Sequence, residues 1–237
     1  MPEYHRPVTS SQNNAPFAVL LAVSTVGFLA VPFLIVSAPI EQSMGIIQKI
    51  FYFHAPIAWL LLLSTGVCAA GSIAYLFAGS EGGDRLALAS AELGVLFGLC
   101  TLVTGPLWAR VAWGVFWAWD ARLTTSLLLW LMLLAYLLAR RYGGPGGKKL
   151  SAALALFAAA DAPMVYISVN VWRTIHPKTT VVPTLDPSMR PAFWASFVLI
   201  TIVFGVLLTL RTRLEAARAA LADVRLEVED LMEARQS

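Results

Sequence analysis

The sequence predicts an all-α, polytopic membrane protein with six transmembrane helices and a further helix after the last span. Three observations carry that expectation. Of 237 residues, 58% are hydrophobic and 13% charged, with a mean hydropathy of +0.72; a soluble domain of this length needs a polar surface that so few charges cannot supply. Six apolar runs approach the ~20 residues a helix needs to cross the hydrocarbon layer. The connections between those runs alternate between short and long. The composition excludes a soluble enzyme, a disordered chain and a fibrous repeat. The net charge of +3 is scattered along the chain, without the basic stripe that tracks nucleic acid, so nucleic acid is excluded as a partner.

The runs cover residues 17–38, 57–79, 86–104, 123–139, 150–169 and 192–210. The first follows a polar N-terminus, yet it is too long for a signal peptide and Pro39 occupies the position after the one plausible cleavage site, so it is expected to remain as a span. Links 80–85 and 142–149 are short; 39–56, 105–122 and 170–191 are long and aromatic. Arg6, Arg85, Arg140, Arg141, Lys148, Lys149, Arg211, Arg213, Arg218 and Arg225 fall on the short-link side, against Lys49, Arg110, Arg122, Arg173, Lys178 and Arg190 on the other. This bias expects both termini in the cytoplasm, with a tail at 1–16, a membrane domain at 17–210 and a helix at 211–237. The cations retained by the long loops oppose the bias and are candidates for functional charge.

In 211–237, Leu214, Leu221 and Val228 fall seven apart, as do Ala217, Val224 and Leu231, an a/d seam of about three heptads. It is either a solvated helix lying along the membrane or a docking helix for a partner subunit. Cys68 and Cys100 sit far apart in apolar runs without a CxxC or CxxCH pattern, and read as small buried hydrophobes.

Span parity brings three features to one membrane face. His54 precedes the second run, a Trp-rich stretch lies between the third and fourth, and His176 lies between the fifth and sixth; an even number of crossings separates each pair. The stretch contains Trp108, Trp113, Trp117 and Trp119 beside Arg110, Asp120 and Arg122. An interfacial aromatic belt explains isolated residues such as Trp59 and Trp194, but not this density beside charge. Flat indoles suit a large planar apolar ligand, and the nearby cations suit its acidic edge groups. Two histidines flanking the platform offer neutral nitrogen donors that could approach an iron porphyrin from opposite sides. His5 lies one crossing away, on the other face.

The run Trp113-Gly114-Val115-Phe116-Trp117-Ala118-Trp119-Asp120-Ala121-Arg122-Leu123-Thr124 resembles the Trp-rich "WWD" signature of the heme-handling proteins of cytochrome c maturation. The preceding Leu102-Val103-Thr104-Gly105-Pro106-Leu107-Trp108 fits that pattern, and Trp172-Arg173-Thr174-Ile175-His176 is similar to the family's second histidine loop. Six spans resemble its smallest branch, the heme exporter protein C (CcmC) family, over nearly the whole chain except the heptad tail. The resemblance implies axial ligation of a non-covalent heme b by His54 and His176 at the periplasmic edge of the inner membrane. It also implies a Trp-rich cradle and delivery of heme to a periplasmic chaperone like CcmE. The partners implied are an ABC-type complex with subunits like CcmA, CcmB and CcmD, within membrane lipid. No nucleophile or acid/base pair asks for an enzyme.

Glu92 and Asp161 fall inside runs, where an ionisable group costs about 2.5–3.5 kcal/mol on insertion scales unless neutral, paired or hydrated. Both are expected to need partners, and Pro163, two residues after Asp161, is a reason for local polarity. Asp120 is placed to cap the fourth span, and to fix the tryptophan platform, while Arg122, with Arg110 or Arg173, is expected to pair with heme propionates. The glycine-rich turn Gly143 to Lys149 fails as a phosphate loop: Tyr142 stands where glycine is required and Lys149 where Ser or Thr is required.

These readings converge on a carrier that holds heme between two histidines and releases it when an acceptor or an ATP-binding partner weakens one axial bond. A bis-histidine b-type electron-transfer subunit is the alternative, and a heme-free structural subunit of a transporter a third.

Overall fold

Apolar side chains dominate every long helix, and in a bilayer each backbone N–H and C=O must be satisfied within its own segment. The computed structural model describes residues 15–235 and shows the consequence. Six helices are long and apolar enough to cross a membrane, and the described residues contain no β-strand beyond one isolated bridge between Glu41 and Gly45. They are α1 (Ala15–Ser37), α2 (Phe51–Ala78), α3 (Glu81–Trp113), α4 (Ala121–Tyr142), α5 (Gly147–Val171) and α6 (Arg190–Ala234), with a 3-10 turn at Ile46–Ile50 leading into α2. His5 lies outside the described residues.

Turn chemistry sets the helix ends. Gly79 ends α2 with φ +64°, a left-handed conformation that costs glycine nothing. Ser80 then caps α3, its hydroxyl accepting from the Gly83 amide at 3.0 Å, which makes the two-residue α2–α3 hairpin. Small residues let the helices close up. A Cβ on Gly71 would sit 2.5 Å from the Gly83 carbonyl oxygen, one on Gly94 2.7 Å from a Leu133 methyl, and one on Gly98 2.5 Å from the Trp130 ring. Trp130 Nε1 donates to the Val95 carbonyl at 2.9 Å, tying α4 to α3. α1 leans on α6, where Gly27 faces Leu199.

The helices run past the apolar runs. Residue 54, assigned to a loop by hydropathy, lies in the first turn of α2, and residue 108 lies in the last turns of α3. The final span and the heptad tail form one unbroken helix of 45 residues.

Glu92 has its partner: Arg211 of α6 grips it through Nε to Oε2 at 2.5 Å and Nη2 to Oε1 at 2.7 Å. Asp84 is buried and doubly hydrogen-bonded by Arg140. The buried Oδ2 of Asp161 has no hydrogen-bond partner among the described residues. Cys68 is buried and Cys100 half-buried, both as free thiols.

Candidate functional site

The start of α2, the end of α3, the start of α4 and the chain after α5 meet at one end of the bundle, as span parity requires. A core of Phe51, Tyr52, Trp108, Leu185, Met189 and Phe193 packs the 172–189 segment down onto α2, α3 and α6. Phe51 stacks on Phe193 at 5.2 Å between ring centroids. This apolar floor positions what stands above it.

His54 and His176 line the same two adjoining cavities, together with Trp108 and Arg122. The larger is about 340 Å³ and its lining includes Trp59 of α2 and Tyr166 of α5; the smaller adds Trp113 and Trp117. Trp108 is buried, with its ring 5.9 Å from His54 and 6.0 Å from Trp113. Gly114, at φ +77°, ends α3 and turns the chain into the irregular segment that carries Trp117. Trp119 meets Trp117 edge to face at 5.7 Å but is 78% exposed and does not line either cavity. The platform is thus part helix, part irregular segment: Trp108, Trp113 and Trp117 face the cavity and Trp119 faces outward.

Hydrogen bonds determine which imidazole nitrogen each histidine leaves free. His54 Nδ1 lies 2.8 Å from Thr104 Oγ1, and the Thr104 hydroxyl donates its proton to the Cys100 carbonyl at 2.8 Å. Thr104 therefore accepts, and His54 Nδ1 carries the proton. His176 Nδ1 lies 2.8 Å from the Pro177 carbonyl oxygen, which can only accept, so it too is protonated at Nδ1. Both rings keep the Nε2 lone pair, the form in which imidazole binds a metal. The His54 ring has room because residue 105 is glycine: a Cβ there would sit 3.2 Å from His54 Cε1. In the loop, burial first and the Arg122 guanidinium second lower the His176 pKa from 6.5 to about 4, against raising effects of the Pro177 hydrogen bond and Asp120.

Asp120 does two jobs. Oδ1 accepts from the Leu123 amide at 2.9 Å and caps α4, while Oδ2 accepts from the Thr174 hydroxyl and from the Ile175 amide at 3.1 Å. The second pair holds the His176 loop instead of the tryptophans. Arg122 donates to the Val165 carbonyl of α5, which draws its guanidinium toward the cavity wall. Arg110 donates to the Gly114 carbonyl and lies over Phe116, 5.5 Å from the ring centroid, away from both cavities. Arg173 borders a third, open pocket beside Asp120, His176 and Lys178.

The donor set suits a metal already held equatorially. No cluster of three or more His, Cys, Asp or Glu side chains that could hold a metal occurs among the described residues, and two imidazoles alone make a poor cage for a bare ion. They fit an iron carried in a macrocycle. The Nε1 atoms of Trp108 and Trp117 are buried with no hydrogen-bond partner among the described residues, unused donors in a mostly apolar wall. Thr104, Gly105 and Thr174 were not singled out as site residues from the sequence. Thr104 and Gly105 had a signal, since parity also places the end of the third span on the face of His54.

Fold and site define a polytopic helical membrane protein with an aromatic cavity lined by two imidazoles at one end of the helix bundle. The chain belongs to the heme exporter protein C (CcmC) family, whose profile matches residues 2–231. It is 34% identical to heme exporter protein C of Bradyrhizobium diazoefficiens over 190 residues, 79% of this chain and 72% of the relative. It is 30% identical to that of Escherichia coli K12, over 68% of this chain and 67% of the relative. A putative cytochrome c biosynthesis ccmC-like mitochondrial protein of Marchantia polymorpha is 32% identical, over 73% and 76%. The family gives the chain a role in heme handling for cytochrome c biogenesis, in association with heme and the Ccm system.

Proposed function

We propose that this protein binds heme non-covalently, as heme b, between His54 and His176 and passes it to a periplasmic heme chaperone of the CcmE kind. It works beside subunits like CcmA, CcmB and CcmD. The observation that carries the reading is the shared placement of the two imidazoles, each with Nδ1 committed and Nε2 free, in the walls of the same two adjoining cavities. Heme is the cargo, and its iron supplies the two axial positions the imidazoles fill. Trp108, Trp113 and Trp117 face the macrocycle and exclude water. Trp119, outside the cavity, offers an aromatic surface to an acceptor. Arg122, with Arg173 and Lys178 at the open side, neutralises the propionates. Asp120 holds the His176 loop to the start of α4, and release follows when that loop lets go. In this reading both termini are cytoplasmic and the site faces the periplasm across the inner membrane.

A resident b-type heme for electron transfer is the second reading, favoured by His54 lying within α2. It expects reversible redox cycling with a quinol and no transfer to an acceptor. The deciding experiment is the visible absorption spectrum of the heme-loaded protein in detergent for wild type, His54→Ala and His176→Ala. Each variant is expected to lose or shift the Soret band; a full-strength, unshifted band in both overturns the ligand assignment.

A further inference from the structure

At ~1.5 Å per residue, the 45 residues of α6 extend roughly 67 Å, more than twice the hydrocarbon thickness of about 30 Å. Beyond Arg211 the helix continues unbroken to Ala234, with neither glycine nor proline in that stretch to bend it. From Ala216 onward every described residue is exposed. Yet this segment is not a uniformly polar helix. Leu221, Val224, Val228 and Leu231 continue the a/d seam while 49–60% exposed, a row of apolar side chains that an isolated helix in water gains nothing by displaying.

The charges beside the seam discriminate between occupants. Written with Leu214 at a, the flanking e positions are Arg218, Arg225 and Met232, and the g positions Arg213, Ala220, Glu227 and Ala234. Because the tail is continuous with a span, a second copy in the same membrane orientation presents its tail in the same direction, and the two tails could pair only in parallel. That pairing sets Arg213 against Arg218, Ala220 against Arg225 and Glu227 against Met232: one like-charge contact and no attractive one. On its own helix, Arg218 meets Glu215 at 2.8 Å and Arg213 lies over Phe17, 4.6 Å from its ring centroid. Arg225 has no ion-pair partner among the described residues.

We propose that residues 211–234 form one strand of a parallel heteromeric coiled coil. The partner strand is the juxtamembrane helix of a different membrane-anchored protein, with acidic side chains flanking its own apolar seam opposite Arg218 and Arg225. The seam supplies affinity, the arginines favour an acidic partner over a second copy, and the shared membrane supplies the local concentration that three heptads need. This inference is independent of heme ligation.

The test reconstitutes full-length Val224→Cys protein into neutral-lipid vesicles with a designed single-span probe carrying three heptads, a cysteine at the matching d position, and either glutamate or lysine at e and g. The expected result is disulfide cross-linking to the glutamate probe about tenfold above the lysine probe, with the preference inverted by Arg218→Glu/Arg225→Glu. Equal yields with both probes, or no cross-link to either, overturns the proposal. So does efficient cross-linking of two Val224→Cys copies without any probe, which would make the seam a homomeric interface.

Discussion

The Thr104 hydroxyl stands between two groups of the site end, 2.8 Å from His54 Nδ1 and 2.8 Å from the Cys100 carbonyl oxygen. Its single proton goes to the carbonyl, so the histidine must donate. One hydroxyl on α3 thereby sets the tautomer of an imidazole on α2. Thr104→Val keeps the shape and removes the acceptor, leaving a buried N–H unsatisfied at a cost of about 1–3 kcal/mol. Heme titration of Thr104→Val is expected to show affinity lowered by about tenfold, 1.4 kcal/mol being a factor of ten. Thr104→Ser, which keeps the hydroxyl, should stay near wild type.

Gly105 separates folding from ligand binding. It lies inside α3, where alanine is favoured over glycine by about 0.8–1 kcal/mol, an advantage offset by Pro106 crowding a Cβ on the residue before it, so Gly105→Ala should leave the melting temperature in detergent close to wild type. The new Cβ would meet His54 Cε1 at 3.2 Å, so the ring must give way by a few tenths of an ångström. Heme affinity should fall while stability does not, and the Soret maximum should shift. A parallel fall in both would show that Gly105 serves packing alone.

Protonation gives the third expectation. The His176 imidazole has its pKa lowered from 6.5 to about 4 by burial first and Arg122 second. With the loop docked it stays neutral above about pH 4, and Nε2 is available to a metal; with the loop undocked it protonates below about 6.5. Above pH 6.5 neither form is charged and docking does not depend on this group. Between 6.5 and 4 the undocked form gains a proton that the docked form does not, so docking weakens steadily as the solution is acidified. Below about 4 both are protonated and the lone pair is gone. A heme-binding profile in detergent should be flat from pH 8 to about 6.5 and decline below it, and His176→Met, whose thioether does not titrate there, should remove that part of the decline.

The membrane architecture was legible because its signal is local: six apolar runs and the alternation of their links specify the helices, and parity alone assembles His54, the tryptophans and His176 at one end. What escaped is what depends on contact between distant residues. Asp120 was legible as a cap because capping is read within three residues, yet its other oxygen bonds Thr174 and Ile175, more than fifty positions away. The helix limits escaped for another reason. Apolar runs mark the hydrocarbon layer, whereas α2 begins at Phe51 and α3 continues to Trp113 because hydrogen bonding and packing on the site end extend both helices beyond it. The tail was legible as a helix but not as an extension of α6, since nothing in a heptad pattern says whether a chain breaks before it.

Arg211 shows how charge placement misleads when read one residue at a time. Counted with the short-link cations, it reads as an orientation signal; in the fold its guanidinium makes a two-pronged contact with Glu92 of α3 and also reaches Glu215 at 3.0 Å. Glu92 lies twelve residues before Thr104 on the same helix, roughly 18 Å from the histidine end, so the pair fastens α6 to α3 far from the ligand site. Glu92→Ala leaves the arginine with Glu215 as its one remaining carboxylate, whereas Arg211→Leu strands the Glu92 carboxylate beside apolar helices. Arg211→Leu should destabilise the detergent-solubilised protein by about 2–3 kcal/mol, the scale of an unpaired charge at membrane depth, and Glu92→Ala by less, because Glu215 still pairs the arginine. The double variant removes both charges and should lie closer to wild type than either single, giving a coupling of about 1–2 kcal/mol in a double-mutant cycle followed by thermal or SDS unfolding. Heme affinity measured on the same variants at a temperature where all are folded should remain at the wild-type level, because nothing at the histidine end touches this pair. Additive single and double effects would mean that Glu92 and Arg211 each act through other neighbours.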